Sequence, residues 1–476
     1  MIESIGQTVT AVADFLCGYP LFFALIGGGL YLFLSSGMVS LRRLPDALRE
    51  LRSGRSSESG QQISSVEALA SVVAATVGMG NIAGVAIALV MGGPGAIFWM
   101  WVSALVGMST KFHEGVLTTK FKSSAPDGRS VGGTMYIIEK GLGPRWRWLA
   151  VTFAVAGMLG TLAIMNVNQL TEAVVTTFTT PQGLADNAVL TSVSGIAGWS
   201  NDSSFRLIFG ISVAILVSLV ALGGIRRIAR VASWLVPFMV GLYFILVLYI
   251  IATNIHGVPG VFRSIFSEAF NLRAGWGALA GIAIIGARRA ALVNDAGVGT
   301  ATIMHGASDN REPVREGLVA MLGPAIDSGF VCTLTALAIL LCGDISADGG
   351  VKGLEIAMNA FHSAIPGGKY LLMAIVLCFA LSSMFSYSFY GTRCAAYLWG
   401  ERRARWYTWF FIATLVIFAV MPLGVAVGFC DLFYALMAFP TMLTLILLRH
   451  HVADCLASSH LHPKKQSSLM KLKNNA

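Results

Sequence analysis

Long apolar runs, separated by short segments that hold nearly all the charge, follow one another along this chain. A helix needs about 20 apolar residues to cross about 30 Å of hydrocarbon. Runs of that length lie near 14–39, 66–91, 93–119, 147–178, 205–224, 231–252, 274–303, 316–343, 368–397, 405–423 and 427–448. The pattern predicts an all-α membrane protein with eleven transmembrane helices. Composition agrees, because 55% of the 476 residues are hydrophobic and only 12% are charged. A mean hydropathy of +0.72 leaves too little polar surface to cover a water-soluble fold. The seven cysteines sit mostly inside apolar runs without Cys-x-x-Cys spacing, which reads as small buried thiols rather than zinc sites or a disulfide framework.

A net charge of +9 raises nucleic-acid binding, but that requires basic residues gathered in one patch. Here their placement reports topology instead. With the N-terminus outside, 25 of the 33 Lys and Arg residues fall in the predicted cytoplasmic segments. That excess satisfies the positive-inside rule. The chain is therefore expected in a bacterial-type plasma (inner) membrane, with an external N-terminus and a basic cytoplasmic tail. The first run lacks a basic leader and is followed by Arg42 and Arg43, so it reads as a retained helix rather than a cleaved signal. The expected organisation is an extra N-terminal helix and cytoplasmic loop (1–65), two sets of five helices (66–252 and 253–448) and the tail (449–476). The polar loop 179–203 is expected outside and the connection 53–65 inside.

Two runs carry the chemistry. The second reads Ala74-Ala-Thr76-Val77-Gly78-Met79-Gly80-Asn81-Ile-Ala-Gly84, with three glycines and an Asn at mid-membrane. Gly-x-Gly allows a helix to unwind, and lipid cannot satisfy the freed N–H and C=O groups. Such a break offers a half-helix N-terminus to an anion and free carbonyls to a cation. The same glycines also form a small-xxx-small interface, which close packing alone would explain. The seventh run reaches Arg288 and Arg289 early and then reads Asn294-Asp295-Ala-Gly297-Val298-Gly299. It is either a second break or a helix end with a glycine cap. Paired breaks opening two sets of five helices point to an inverted-repeat transporter.

Other polar residues inside the runs have plain and sharp readings. Lys111 and Glu114, three apart, read as an intrahelical pair, and Asp327 as a buried hydrogen-bonding acid rather than a relay. Asn166 and Gln169 share a helix face and suit a zwitterion because amides both donate and accept. Ser382 and Ser383 could supply oxygens to a hard cation or hydrogen-bond between helices.

These motifs resemble the alanine or glycine:cation symporter family over roughly Glu67 to Arg449. The most specific block is Gly92-Gly-Pro-Gly-Ala-Ile-Phe-Trp-Met-Trp-Val-Ser-Ala-Leu-Val-Gly-Met-Ser-Thr-Lys-Phe-His-Glu114. Gly132-Gly-Thr-Met-Tyr136, Asn166-Val-Asn-Gln169, Pro313-Val-Arg-Glu-Gly-Leu-Val-Ala-Met-Leu-Gly323 and Tyr390-Gly-Thr-Arg-Cys394 follow in the same order. The resemblance implies a leucine-transporter-like fold, a five-plus-five inverted repeat with one extra N-terminal helix, that imports a small amino acid with Na⁺. It implies a sodium site made by the carbonyls of Ala74, Val77 and Phe379 with the hydroxyls of Ser382 and Ser383. By the same likeness the substrate carboxylate meets the amides of Gly78, Met79 and Gly80, while Thr76, Asn81, Asn166, Gln169 and Tyr387 line the pocket. The chain departs from the family at Asp295 and Val298 (Glu and Met there), at Tyr387 (Trp there), at Thr392 (Glu there), and at Leu170-Thr-Glu172, where small polar residues are usual. The leading expectation is sodium-coupled import of an alanine- or glycine-like amino acid. A proton could replace sodium, with Asp295 or Glu172 as its carrier, and a passive channel is the reading of another class. An enzyme finds no support in motifs, since His-Glu-x-x-His and paired catalytic aspartates are absent.

Overall fold

Apolar runs this long have to close their own backbone hydrogen bonds, and helices do so without a partner segment. The computed structural model describes residues 15–53, 63–125, 128–179, 190, 200–270, 276–343, 353–421 and 423–459, and these are overwhelmingly helical. Much of the predicted outer loop 179–203, most of the connection 53–65 and the end of the tail lie outside the described residues. A small antiparallel hairpin, Ser123–Ser124 with Ser130–Val131, departs from the all-helical expectation.

Among the described residues seven helices are long and apolar enough to cross a membrane: Phe15–Ser35, Pro144–Phe178, Asn201–Ala221, Gly224–Thr253, Pro313–Cys342, Gly368–Trp399 and Gly428–Leu447. Ser65–Thr76 and Gly80–Gly92 make an eighth if the pair, bent by 57°, counts as one span. The other predicted runs are helical too, as Gly95–Lys120, as Trp276–Asn294 followed by Thr300–Gly306, and as Glu401–Val420. They are less apolar because they carry Lys111 and Glu114, Arg288 and Arg289, and Arg402, Arg403 and Arg405 respectively.

Gly95–Lys120 is the scaffold. It packs against Phe15–Ser35, Val258–Ala269, Trp276–Asn294, Thr300–Gly306 and Pro313–Ala320. Small residues allow these approaches. A Cβ on Gly107 would lie 3.2 Å from that of Ala296, and one on Gly115 would lie 2.9 Å from the Gly317 main chain. Large side chains such as Leu219, Trp234, Ile245, Trp406 and Ile417 point outward instead, where a bilayer would cover them.

The sequence pattern missed two kinds of feature. The run 147–178 is not one rod, because Ala163 adopts φ +55 and separates Arg147–Gly160 from Ile164–Phe178. Short helices also lie outside the eleven predicted runs, at Leu44–Ser53, Val258–Ala269, Leu354–Ala364 and Arg449–Ser458. At 10 to 12 residues each they are too short for a span.

One close approach is set by paired glycines. A Cβ on Gly132 would lie 2.5 Å from Gly306 Cα and 2.6 Å from the Thr118 hydroxyl. Gly132→Ala is expected to lower stability by about 1–3 kcal/mol through overpacking. Gly260→Ala, at a helical site with nothing within 4 Å, should leave stability unchanged or slightly raised. Thermal unfolding of the two purified variants checks the contrast.

Candidate functional site

The second run does break. Ser65–Thr76 starts from a capping box, in which Ser64 and Glu67 each bond the other's main chain, and ends where Val77 turns extended (φ −70, ψ 100). The chain resumes as a π-helical turn, Gly80–Gly84, and continues as Val85–Gly92. Asn81 closes the gap: its side-chain oxygen accepts from Gly78 N–H at 2.9 Å, and its own N–H donates to Gly78 C=O at 3.1 Å. Its amide nitrogen donates to the Asp327 carboxylate and to Cys332 Sγ (3.6 Å).

The serine-bearing helix Gly368–Trp399 lies against the carbonyl end of the first half. The Ser382 hydroxyl reaches Ala74 C=O and Phe379 C=O, both at 2.9 Å. Ser383 reaches Ala74 C=O (3.2 Å), Ala75 C=O (3.0 Å) and Phe379 C=O (3.1 Å). All these residues are buried, so five oxygens gather in a site closed to water.

The seventh run breaks as well, at 295–299, between Trp276–Asn294 and Thr300–Gly306. It is a break inside the fold, not a helix end. Asp295 adopts φ +52, which an L residue rarely does, and Gly297 and Gly299 have φ +87 and +93. No side chain fits at Gly299: a Cβ would lie 2.5 Å from the Thr134 hydroxyl, 2.6 Å from that of Thr441 and 2.7 Å from the Phe153 ring. The freed amides of Gly297 and Gly299 both donate to Glu114 Oε1, at 3.0 and 3.2 Å. Lys111 Nζ stands 3.7 Å from the other oxygen of Glu114, so the expected pair exists, but its carboxylate also carries the second break.

One turn supports both breaks. Within Pro313–Cys342 the segment Ala325–Val331 is π-helical, a local widening often found at functional sites. Asp327 takes Asn81, and the adjacent Ser328 accepts from Asn294 Nδ2 at 3.1 Å. Gly80 and Gly84 also meet Val293 directly, their would-be Cβ atoms 3.6 and 3.5 Å from its methyl group. The glycines of the second run therefore serve close packing and the break together.

The predicted site residues sort as follows. Ala74, Phe379, Ser382 and Ser383 come together. The Ser383 hydroxyl turns to the Ala75 carbonyl rather than to that of Val77. Gly78 adjoins Ser383, but its amide is already taken by Asn81. Met79 is buried beside it and Gly80 is open to solvent. Thr76 bonds back to Val72 C=O at 3.2 Å. Asn81, expected to line the pocket, is fully buried, with its side chain bonded to Gly78, Asp327 and Cys332. Asn166 and Gln169 are half-buried on the helix that follows the Ala163 kink. Between them Asn168, which was not singled out, donates to Phe418 C=O (3.0 Å) and Met421 C=O (2.5 Å). Tyr387 bonds Tyr434, whose hydroxyl in turn lies 3.5 Å from Asp295 Oδ2. Of the two proton candidates, Asp295 sits at the break, whereas Glu172 is half-exposed and paired with Arg206 at 2.7 Å. Glu114 was legible as a charge in an apolar run, but Tyr434 carried no signal in the sequence.

Two broken helices whose freed main chain is turned toward neighbouring hydroxyls, amides and carboxylates are the architecture of a membrane transporter. The sequence pattern of the sodium:alanine symporter family matches residues 2–473, and the chain belongs to that family of cation-coupled amino-acid symporters. An uncharacterized transporter of Haemophilus influenzae is 37% identical over 95% of both chains. The sodium/alanine symporter AgcS of Methanococcus maripaludis is 36% identical over 92% of this chain and 94% of its own. MhsT, solved in complex with L-phenylalanine, shares the fold at a TM-score of 0.53 and 15% identity, covering 87% of this chain and 95% of that one.

Glu114→Ala strands two amides and a buried lysine, and is expected to cost about 3–5 kcal/mol. Glu114→Gln should cost less, because one amide oxygen can still accept from both glycines. Thermal unfolding of the purified variants measures the order.

Proposed function

We propose that this protein imports a small neutral amino acid, alanine or glycine in kind, by sodium symport through alternating access. The observation that carries the reading is the meeting of the Ser382 and Ser383 hydroxyls with the carbonyls of Ala74, Ala75 and Phe379 at the first break. Neutral oxygens in that number suit a weakly charged hard cation, which loses its water shell to carbonyls and hydroxyls. The Val77 carbonyl, at the same break, is a further ligand in this reading. The amides of Met79 and Gly80 begin the second half-helix and face the substrate carboxylate. Asp295 supplies the counter-charge for its amine, with Thr76, Asn166, Gln169 and Tyr387 shaping the remaining wall.

The protein crosses the membrane eleven times in this reading, as an extra first helix and two inverted sets of five. The N-terminus lies outside and the basic tail inside, as the charge distribution supports. Sodium orders the first break and raises affinity for the amino acid, and by linkage the amino acid raises affinity for sodium.

In proteoliposomes the protein is expected to accumulate alanine or glycine uphill under an inward sodium gradient. Ser383→Ala should raise the sodium concentration needed for half-maximal uptake by about ten-fold, the worth of one buried hydrogen-bonding ligand, while protein abundance holds. Uptake equally fast with and without the gradient would sink the sodium reading. Varying pH at fixed sodium tests Asp295 as a proton carrier, and flux without accumulation would mark a passive facilitator.

A further inference from the structure

The two broken helices meet a second time, away from their breaks. Ile63 pairs with Ser308 in an isolated parallel bridge, and Asp309 N–H donates to Ile63 C=O at 2.9 Å. The Ser65 hydroxyl, at the start of the first broken helix, donates to Glu316 Oε2 at 2.5 Å. His305, in the last turn after the second break, bonds Glu316 Oε1 through Nδ1 at 2.6 Å. Asn310 Nδ2 donates to the Ser65 hydroxyl at 3.1 Å, and Lys122 Nζ donates to Ser308 C=O and Asn310 C=O, both at 2.8 Å. Glu316 and His305 are buried. Each oxygen of one carboxylate therefore holds one broken helix.

We propose that Glu316 is the positioning residue of a gate: its carboxylate latches the end of Ser65–Thr76 far from the first break to the end of Thr300–Gly306 far from the second, and both bonds must part when the pathway opens on that face. Glutamate in a first helical turn commonly serves its own helix dipole. That role leaves the carboxylate free to face solvent, and it does not explain why both oxygens are spent on the two helices that break. Ser65–Thr76 packs directly on Thr300–Gly306, so a swing of either half-helix away from the other stretches the Ser65, Asn310 and Ile63 bonds together. The segments joined here, 63–65, Lys122 and 308–316, are those whose charge assigns them to the cytoplasm. The latch is thus the inner gate, and it rests on the alternating-access reading for that role.

Hydrogen–deuterium exchange of the full chain in lipid nanodiscs, without added ligand, tests the latch. Glu316→Gln keeps the shape but removes the charge that strengthens both bonds and forces one partner to reverse its donor role, so both contacts weaken. Peptides covering 65–76 and 300–310 are expected to exchange about ten-fold faster or more, the scale of a lost charge-assisted hydrogen bond, with Asn201–Ala221 and Gly368–Trp399 unchanged. Ser65→Ala should loosen 65–76 more than 300–310, and it serves as the readout if Glu316→Gln does not fold. Unchanged exchange in both segments, or a rise spread evenly over the bundle, overturns the proposal. Because no ion or amino acid is added, failure here leaves the sodium reading standing, and failure of the sodium reading leaves this outcome in place.

Discussion

Lipid has no hydrogen bonds to give, and a helix that breaks within it must find partners for every main-chain group it frees. An amide left bare in such surroundings costs about 1–3 kcal/mol or more. The arrangement of buried polar residues in this protein follows from that requirement. At the first break Asn81 replaces the missing ladder bond with its own side chain, and the serines of Gly368–Trp399 take the loose carbonyls. At the second, Glu114 takes two amides at once, and Thr441 donates to Val298 C=O at 3.1 Å.

The block from Gly92 to Glu114 gains a physical meaning from this. Its glycines admit neighbours, as Gly95 admits the main chain of Glu268 and Ala269 and Gly107 admits Ala296. Its charged end supports the second break. These contacts join helix to helix and give the second break its shape. Asp327 and Ser328 extend the same logic, because adjacent residues on one widened turn hold an asparagine from each break. One widened turn is thus bonded to both breaks.

The departures from the family pattern also separate by place. Thr392 bonds Ser388 C=O (2.7 Å) and lies 3.2 Å from Thr408, and Glu172 pairs with Arg206, so both belong to helix packing. Asp295, Val298 and Tyr387 lie at or beside the second break. Tyr387 in place of an indole forms a hydroxyl pair with Tyr434 and so reaches Asp295 through a second ring.

Hydropathy alone was enough to locate the helical runs, because crossing or filling a bilayer demands a length and an apolarity that composition cannot hide. The first break was legible too, since three glycines and an asparagine are costly in a membrane helix without a use. The two serines that stood out in the ninth run, Ser382 and Ser383, meet the carbonyls of Ala74 and Phe379. The kink at Ala163 left no mark, because an alanine in a left-handed conformation is imposed by its neighbours rather than by its own preference. Nor could one dimension show that Asn81 serves Asp327, that Glu114 serves Gly297 and Gly299, or that Tyr434 stands between Tyr387 and Asp295. These pairs join residues from 47 to 246 positions apart. The chain by itself marked the long apolar runs and the place where the first broken helix could fail. Only tertiary packing decided which distant side chain meets each freed group, because burial makes satisfaction obligatory without naming the partner.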